Sequence, residues 1–151
     1  MAASIQFRMT TDRLGGAATS TQLSTTAIHN LFDIITPAEA VAGDIEYRAL
    51  DVYNSGDATA TFVAYYNTPS SSTYTEIEAG IEAAPTGSTT AIADESAAPA
   101  GVTFAIRSSA AKLTLPDIAA GAYVRLWFKR IVTSGAPNMS NDLITMYVDF
   151  A

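Results

Sequence analysis

The 151-residue chain contains no cysteine and only one histidine. The first absence excludes a disulfide framework, a thiolate metal cluster and a cysteine nucleophile, and the second leaves His29 unable to build a multi-histidine metal site. Bases are scarce as well. Eight Lys and Arg stand against fifteen Asp and Glu, for a formal charge of -7. The longest basic run is Lys129-Arg130, so the clustered cations that a phosphate backbone demands are missing. No window approaches the roughly 18 consecutive apolar residues of a spanning helix. Met1 to Arg8 lacks the basic flank and apolar run of a secretory signal. The 48% hydrophobic content includes 28 alanines, which leaves larger apolar side chains for one ordinary core. Neither nucleic acid nor a membrane is therefore an expected partner, and residues 1–151 are expected to form a single domain.

The charge that is present is unevenly placed. Met1 to Arg48 carries three bases and five acids. Ala49 to Ile106 has no Lys or Arg, only Asp51, Asp57, Glu76, Glu78, Glu82, Asp94 and Glu95. Arg107, Lys112, Arg125, Lys129 and Arg130 then make the last third mildly basic. Such a chain either presents an acidic surface and a basic edge to its neighbours, or folds so that the two segments neutralise each other.

Period-two patterning dominates. Ile5, Phe7 and Met9 alternate with polar residues over Ser4 to Thr10, and strands are expected over Ile45 to Asn54 and Ala58 to Asn67, joined as a hairpin through Ser55-Gly56-Asp57. Further strands are expected over Thr73 to Ala79, Thr103 to Arg107, Lys112 to Leu115, Ala122 to Val132 and Leu143 to Phe150. Leu14 to Thr26 reads as a loop or surface arm. Thr36-Pro37-Ala38-Glu39 suits a helix start, and Ile28 to Ile35 leads into it as a short strand or a helical turn. Ala83 to Gly101 is a loop of small residues. Eight or nine strands at about ten-residue spacing predict an all-β fold, a single β-sandwich of immunoglobulin-like or jelly-roll type with long loops.

Carboxylates are the plentiful reactive groups. Glu76 and Glu78 lie two apart on one strand face, the separation that paired-acid hydrolysis needs, but the same spacing describes a solvated strand face. Asp44, Glu46, Asp51 and Asp57 offer oxygens to calcium without matching any calcium-loop spacing, and an Asx turn accounts for Asn54 and Asp57. His29 has no Gly-x-Ser-x-Gly elbow to serve. Gly15-Gly16 precedes neither a helix start nor a lysine, so it is no phosphate cradle. Tyr47, Tyr53, Tyr65, Tyr66, Tyr74, Tyr123, Tyr147 and Trp127 would suit either a sugar platform or ordinary cross-strand packing. The residues therefore point to no catalytic, cofactor-binding or metal site, and to a protein that is not an enzyme.

Two stretches carry a resemblance. Asn30-Leu31-Phe32-Asp33, Pro37-Ala38-Glu39-Ala40 and Ala42-Gly43-Asp44-Ile45-Glu46-Tyr47-Arg48, running on to Asp51-Val52-Tyr53-Asn54, resemble the front half of small virion structural proteins of tailed bacteriophages. Leu115-Pro116-Asp117-Ile118, Gly121, Val124-Arg125-Leu126-Trp127-Phe128-Lys129-Arg130 and Gly135-Ala136-Pro137 resemble their closing hairpin. The resemblance covers about half the chain. It implies a head decoration or cement protein that binds the major capsid protein lattice as a homo-oligomer, assembled in the host cytoplasm and carried on the virion surface. The alternative is a tail, fibre or baseplate module that binds a host glycan or receptor. Within this reading the expected contact segments are Leu14 to Gly43 and Ala83 to Gly101, ordered by a partner more than by the domain's own core.

Overall fold

A computed structural model describes residues 1–23, 31–137 and 144–151. His29, Ile28, Asn30 and Leu143 lie outside the described residues, so the readings placed on them have no structural counterpart here. Eight strands and one short helix follow in the order β1 (Ile5–Thr10), β2 (Ala18–Gln22), α1 (Pro37–Ala42), β3 (Asp44–Asn54), β4 (Ala64–Asn67), β5 (Thr75–Gly80), β6 (Leu113–Thr114), β7 (Tyr123–Val132) and β8 (Met146–Asp149). They form two antiparallel sheets, β2-β1-β3-β7-β5 and β6-β4-β8. The fold is thus the expected all-β sandwich.

The core forms where the two sheets face each other. Alternation along β3 and β7 sends Leu50, Val52, Val124, Leu126 and Phe128 inward, and the smaller sheet with its flanking turns supplies Val63, Tyr65, Leu113, Leu115 and Ile118. Tyr65 stands edge-on to Phe7 at 6.3 Å and to Phe128 at 5.5 Å between ring centroids, a geometry that aromatic quadrupoles favour. Its hydroxyl donates to Asn67 Oδ1 at 3.1 Å, so a phenol with no solvent exposure keeps a hydrogen bond.

Both expected hairpins are absent. Ile45 to Asn54 and Ala58 to Asn67 were expected to pair, but β3 belongs to the five-stranded sheet and β4 to the other. Asn54 supplies the reason. Its buried amide donates to Ala58 O at 2.7 Å and Ile118 O at 2.8 Å, and its Oδ1 accepts from Ser4 N and Gly56 N. The Asx turn is therefore present, but it steers the chain across the sandwich instead of folding it back. Likewise β7 pairs with β3 and β5, while β8 pairs with β4, so the closing hairpin is replaced by two strands in separate sheets.

Local readings fare unevenly. β1 matches the first strand, while β2 falls inside the segment expected to be a loop. The helix begins where Pro37 predicts: Thr36 Oγ1 accepts from Glu39 N and the Glu39 carboxylate accepts from Thr36 N, a capping box that satisfies two otherwise orphaned donors. Thr103 to Arg107 is no strand. It contributes one isolated bridge, Ala105 to Ala79, and Arg107 Nε donates to the Ala79 carbonyl at 3.0 Å.

Candidate functional site

Cross-strand register decides where the charges meet. Asp51 lies opposite Arg125, Glu46 opposite Arg130 and Glu78 opposite Lys129. Asp51 and Glu78 of the acidic middle thereby meet Arg125 and Lys129 of the basic last third, and Glu46 of the first segment meets Arg130. Among the described residues six of the eight bases form ion pairs with carboxylates. Of the two outcomes open to these segments, neutralisation is the one seen at Asp51 and Glu78, whose strands pair with the basic β7.

Asp51 and Arg125 are the most enclosed of these pairs. Arg125 Nε and Nη2 donate to the two Asp51 oxygens at 2.8 and 3.0 Å, and Nη1 reaches Gly16 O at 2.7 Å and Thr90 O at 3.0 Å. One guanidinium therefore ties the sheet, the Arg13–Gly16 turn and the 83–101 loop together. Burial pushes the Asp51 carboxyl up, against the pull of Arg125. Gly15 belongs to the same junction: it has φ +97°, and a β-carbon there would overlap the Thr90 carbonyl. The Gly15-Gly16 pair thus serves a close backbone approach.

Glu46, Arg48 and Arg130 form a second buried array. Arg130 bonds the Glu46 carboxylate, and Arg48 Nη2 lies 3.6 Å from it. Arg48 also donates to Leu31 O at 3.1 Å and Glu95 Oε2 at 2.7 Å, and Asp33 accepts from Arg13 at 2.9 Å. Burial raises the Glu46 pKa, with Arg130 and Arg48 opposing. Phe32 lies beneath both guanidinium groups, 4.8 Å from Arg130 and 5.4 Å from Arg48, so cation–π attraction adds to the ion pairs. The 83–101 segment is thus tied to the chain's own strands, with Tyr47 N donating to Glu95 O at 2.7 Å and Arg125 N to Pro85 O at 2.9 Å, and Ile92 N donating to Leu14 O at 2.9 Å joins it to the start of the other expected contact segment. In the described residues, 83–101 is hydrogen-bonded to the chain's own β3, β7 and Leu14.

Clefts among the described residues include two of similar size. One, about 280 Å³, is lined by Asn67, Ser70, Ser72, Thr75, Glu76 and Ser108. The other, about 270 Å³, has Arg8, Thr19, Asp51, Tyr53 and Tyr123 in its wall, with the Arg8 guanidinium 3.4 Å above the Tyr53 ring. Glu76 reaches the first cleft, whereas Glu78 is drawn to Lys129 at 3.5 Å. The four acids considered for calcium are dispersed: Glu46 and Asp51 are held by arginines, Asp57 accepts from Ala2 N at 2.7 Å, and Asp44 starts β3. Among the described residues no group of three His, Asp or Glu could hold a metal.

The aromatic residues divide. Trp127 and Tyr65 are fully buried, and Tyr47 packs on Phe104 at 5.4 Å. On the outer face of the smaller sheet, Tyr66 and Tyr147 stack at 4.9 Å and 13°, with Lys112 4.9 Å from the Tyr66 ring and bonded to Asp149 at 2.5 Å. That hydrogen bond raises the Lys112 pKa. Phe62 projects from the connection before β4 with 85% of its surface exposed. Phe62 falls within the strand expected over Ala58 to Asn67, on the face opposite the buried Val63 and Tyr65, whereas β4 begins only at Ala64.

No family model, curated protein or solved structure matches the chain. Among the described residues no helix is long and apolar enough to cross a membrane.

Proposed function

We propose that this chain is a non-enzymatic virion structural protein, a head decoration or cement protein that docks on the major capsid protein lattice of a tailed bacteriophage as a homo-oligomer. The observation that supports the reading best lies in the Leu14–Gly43 segment. Ile34 and Val41 stand 79% and 73% exposed there, on backbone that is already fixed: Arg13 and Arg48 hold Leu31 and Asp33, and Gly135 N and Ala136 N bond Val41 O and Ala40 O. Apolar side chains held in place before contact lose little freedom on binding, and a cement protein works through many such small interfaces. The charges fit the same reading, since their pairs tie loops to strands.

A second reading, a tail or fibre module that binds a glycan, is favoured by the Arg8, Asp51, Tyr53 and Tyr123 cleft, which combines aromatic and charged groups in the way sugars are gripped. Copy number and position in purified particles separate the two. Many copies spread over the shell support decoration, a handful at one vertex support the tail, and absence from the particle overturns both.

A further inference from the structure

Phe62 has φ +53°, in the left-handed region that costs any side chain with a β-carbon and that glycine or asparagine usually fills. Its backbone is fixed from both sides. Ala60 and Ile118 exchange two hydrogen bonds of 2.9 Å, Thr61 and Ala151 exchange two of 3.0 and 2.8 Å, and Val63 O accepts from Leu115 N at 2.9 Å. The strained residue is thus imposed by its neighbours, and the ring it carries lies almost wholly in solvent. A chain under selection for folding alone gains nothing from a phenyl group there.

The surroundings define what the ring meets. Two residues along, Ala64 lies opposite Asp149, and Tyr66 lies opposite Tyr147 on the same outer face. On the other side Asp117 is exposed beside Ile118, the bridge partner of Ala60. Lys112 is already taken by Asp149, and among the described residues no base pairs with Asp117. The phenyl group therefore stands in solvent near one exposed carboxylate with no base, Asp117, while Asp149 is neutralised by Lys112, on a chain of formal charge -7.

We infer that Phe62 is a displayed anchor, and that its occupant is a protein surface offering an apolar socket rimmed by lysine or arginine. Charge complementarity selects that partner: a second acidic copy and an anionic lipid surface would both meet like charge. The inference rests on the lattice-binding reading and names the contact through which it would act. Backbone strain is accepted so that the ring stands rigid and exposed, as a binding hot spot requires.

The test compares the wild-type chain with Phe62→Gly, using the particle's own shells depleted of the chain. Glycine relieves the left-handed strain and removes the ring, so F62G is expected to melt about 2–4 °C higher and to bind the shells at least about thirtyfold more weakly. Wild-type binding is expected to weaken as salt is raised. Equal binding by F62G overturns the anchor while leaving the lattice reading intact, and F62G melting below the wild type overturns it because the ring then serves the fold. Wild type that ignores the shells overturns the lattice reading and this occupant together. Wild-type binding to phosphatidylglycerol vesicles, or self-association that F62G abolishes, would replace the socket with a lipid or with a second copy.

Discussion

The two sheets of the sandwich treat their outward faces differently. The five-stranded sheet is covered on both sides: one face meets the core, while the other lies under the Arg13–Gly16 turn and the 83–105 region, so that Ala49, Asp51, Arg125 and Trp127 are all buried. A β-carbon at Gly80 would run into Thr103 O, which shows how tightly that cover sits. The three-stranded sheet keeps Tyr147, Asp149 and Lys112 in solvent, with Phe62 beside them. Charge follows cover. Where backbone must be held over a sheet, arginines do the holding, because a guanidinium can satisfy a carboxylate and two carbonyls at once. Where the face is bare, the ion pair is exposed and adds little.

The largest expected effect comes from breaking the pair under the cover. Arg125→Met leaves the Asp51 carboxylate buried and frees the Gly16 and Thr90 carbonyls, at a cost of about 3–5 kcal/mol in urea denaturation at neutral pH. The sign of its pH dependence follows from burial. A carboxyl whose folded pKa lies above its unfolded value contributes stability that is fully present below the unfolded value and is lost as pH rises through the folded one. Without Arg125 to oppose burial, the Asp51 pKa climbs further, so the deficit of R125M shrinks on acidification. A deficit that stays constant from neutral to acid pH would mean that the carboxylate is not what destabilises the variant.

An intermediate effect is expected at Arg48. Replacement by methionine removes the bonds to Leu31 and Glu95 and leaves Glu46 with Arg130 alone, for a loss of about 2–3 kcal/mol. Hydrogen exchange should speed up most at the Tyr47 and Ala49 amides, which donate to Glu95 O and Arg13 O. Uniform acceleration across β3 would show that Arg48 supports the whole sheet and not its cover. The smallest effect belongs to the open sheet. Lys112→Met removes an exposed pair and should leave the melting temperature unchanged at physiological salt, with any difference appearing only at low salt. A large loss there would break the contrast between the sheets.

Much of the secondary structure was legible from period two: β1 and β7 fall within their expected limits, β3 starts one residue before its own, and Pro37 marked the helix. Pairing was not. Ser55-Gly56-Asp57 reads as a hairpin turn because a turn's composition does not say whether the chain folds back or crosses over, and Asn54 decides that through Ile118, which lies 64 residues away. The strand at Ala18–Gln22 was hidden because Ala, Thr, Ser and Gln carry no alternation when neither face is buried. The Phe62 conformation left no trace either, since it depends on hydrogen bonds to residues 118 and 151.

By itself, the amino-acid sequence determined the class of the fold and the exclusions that no cysteine and one histidine impose, because alternation and composition are local properties. It also determined that an acidic stretch and a basic one must either meet or stay apart. The tertiary structure alone decided between those outcomes. Antiparallel register places Arg125 against Asp51 and Lys129 against Glu78, and register is a relation between distant strands that neither segment contains.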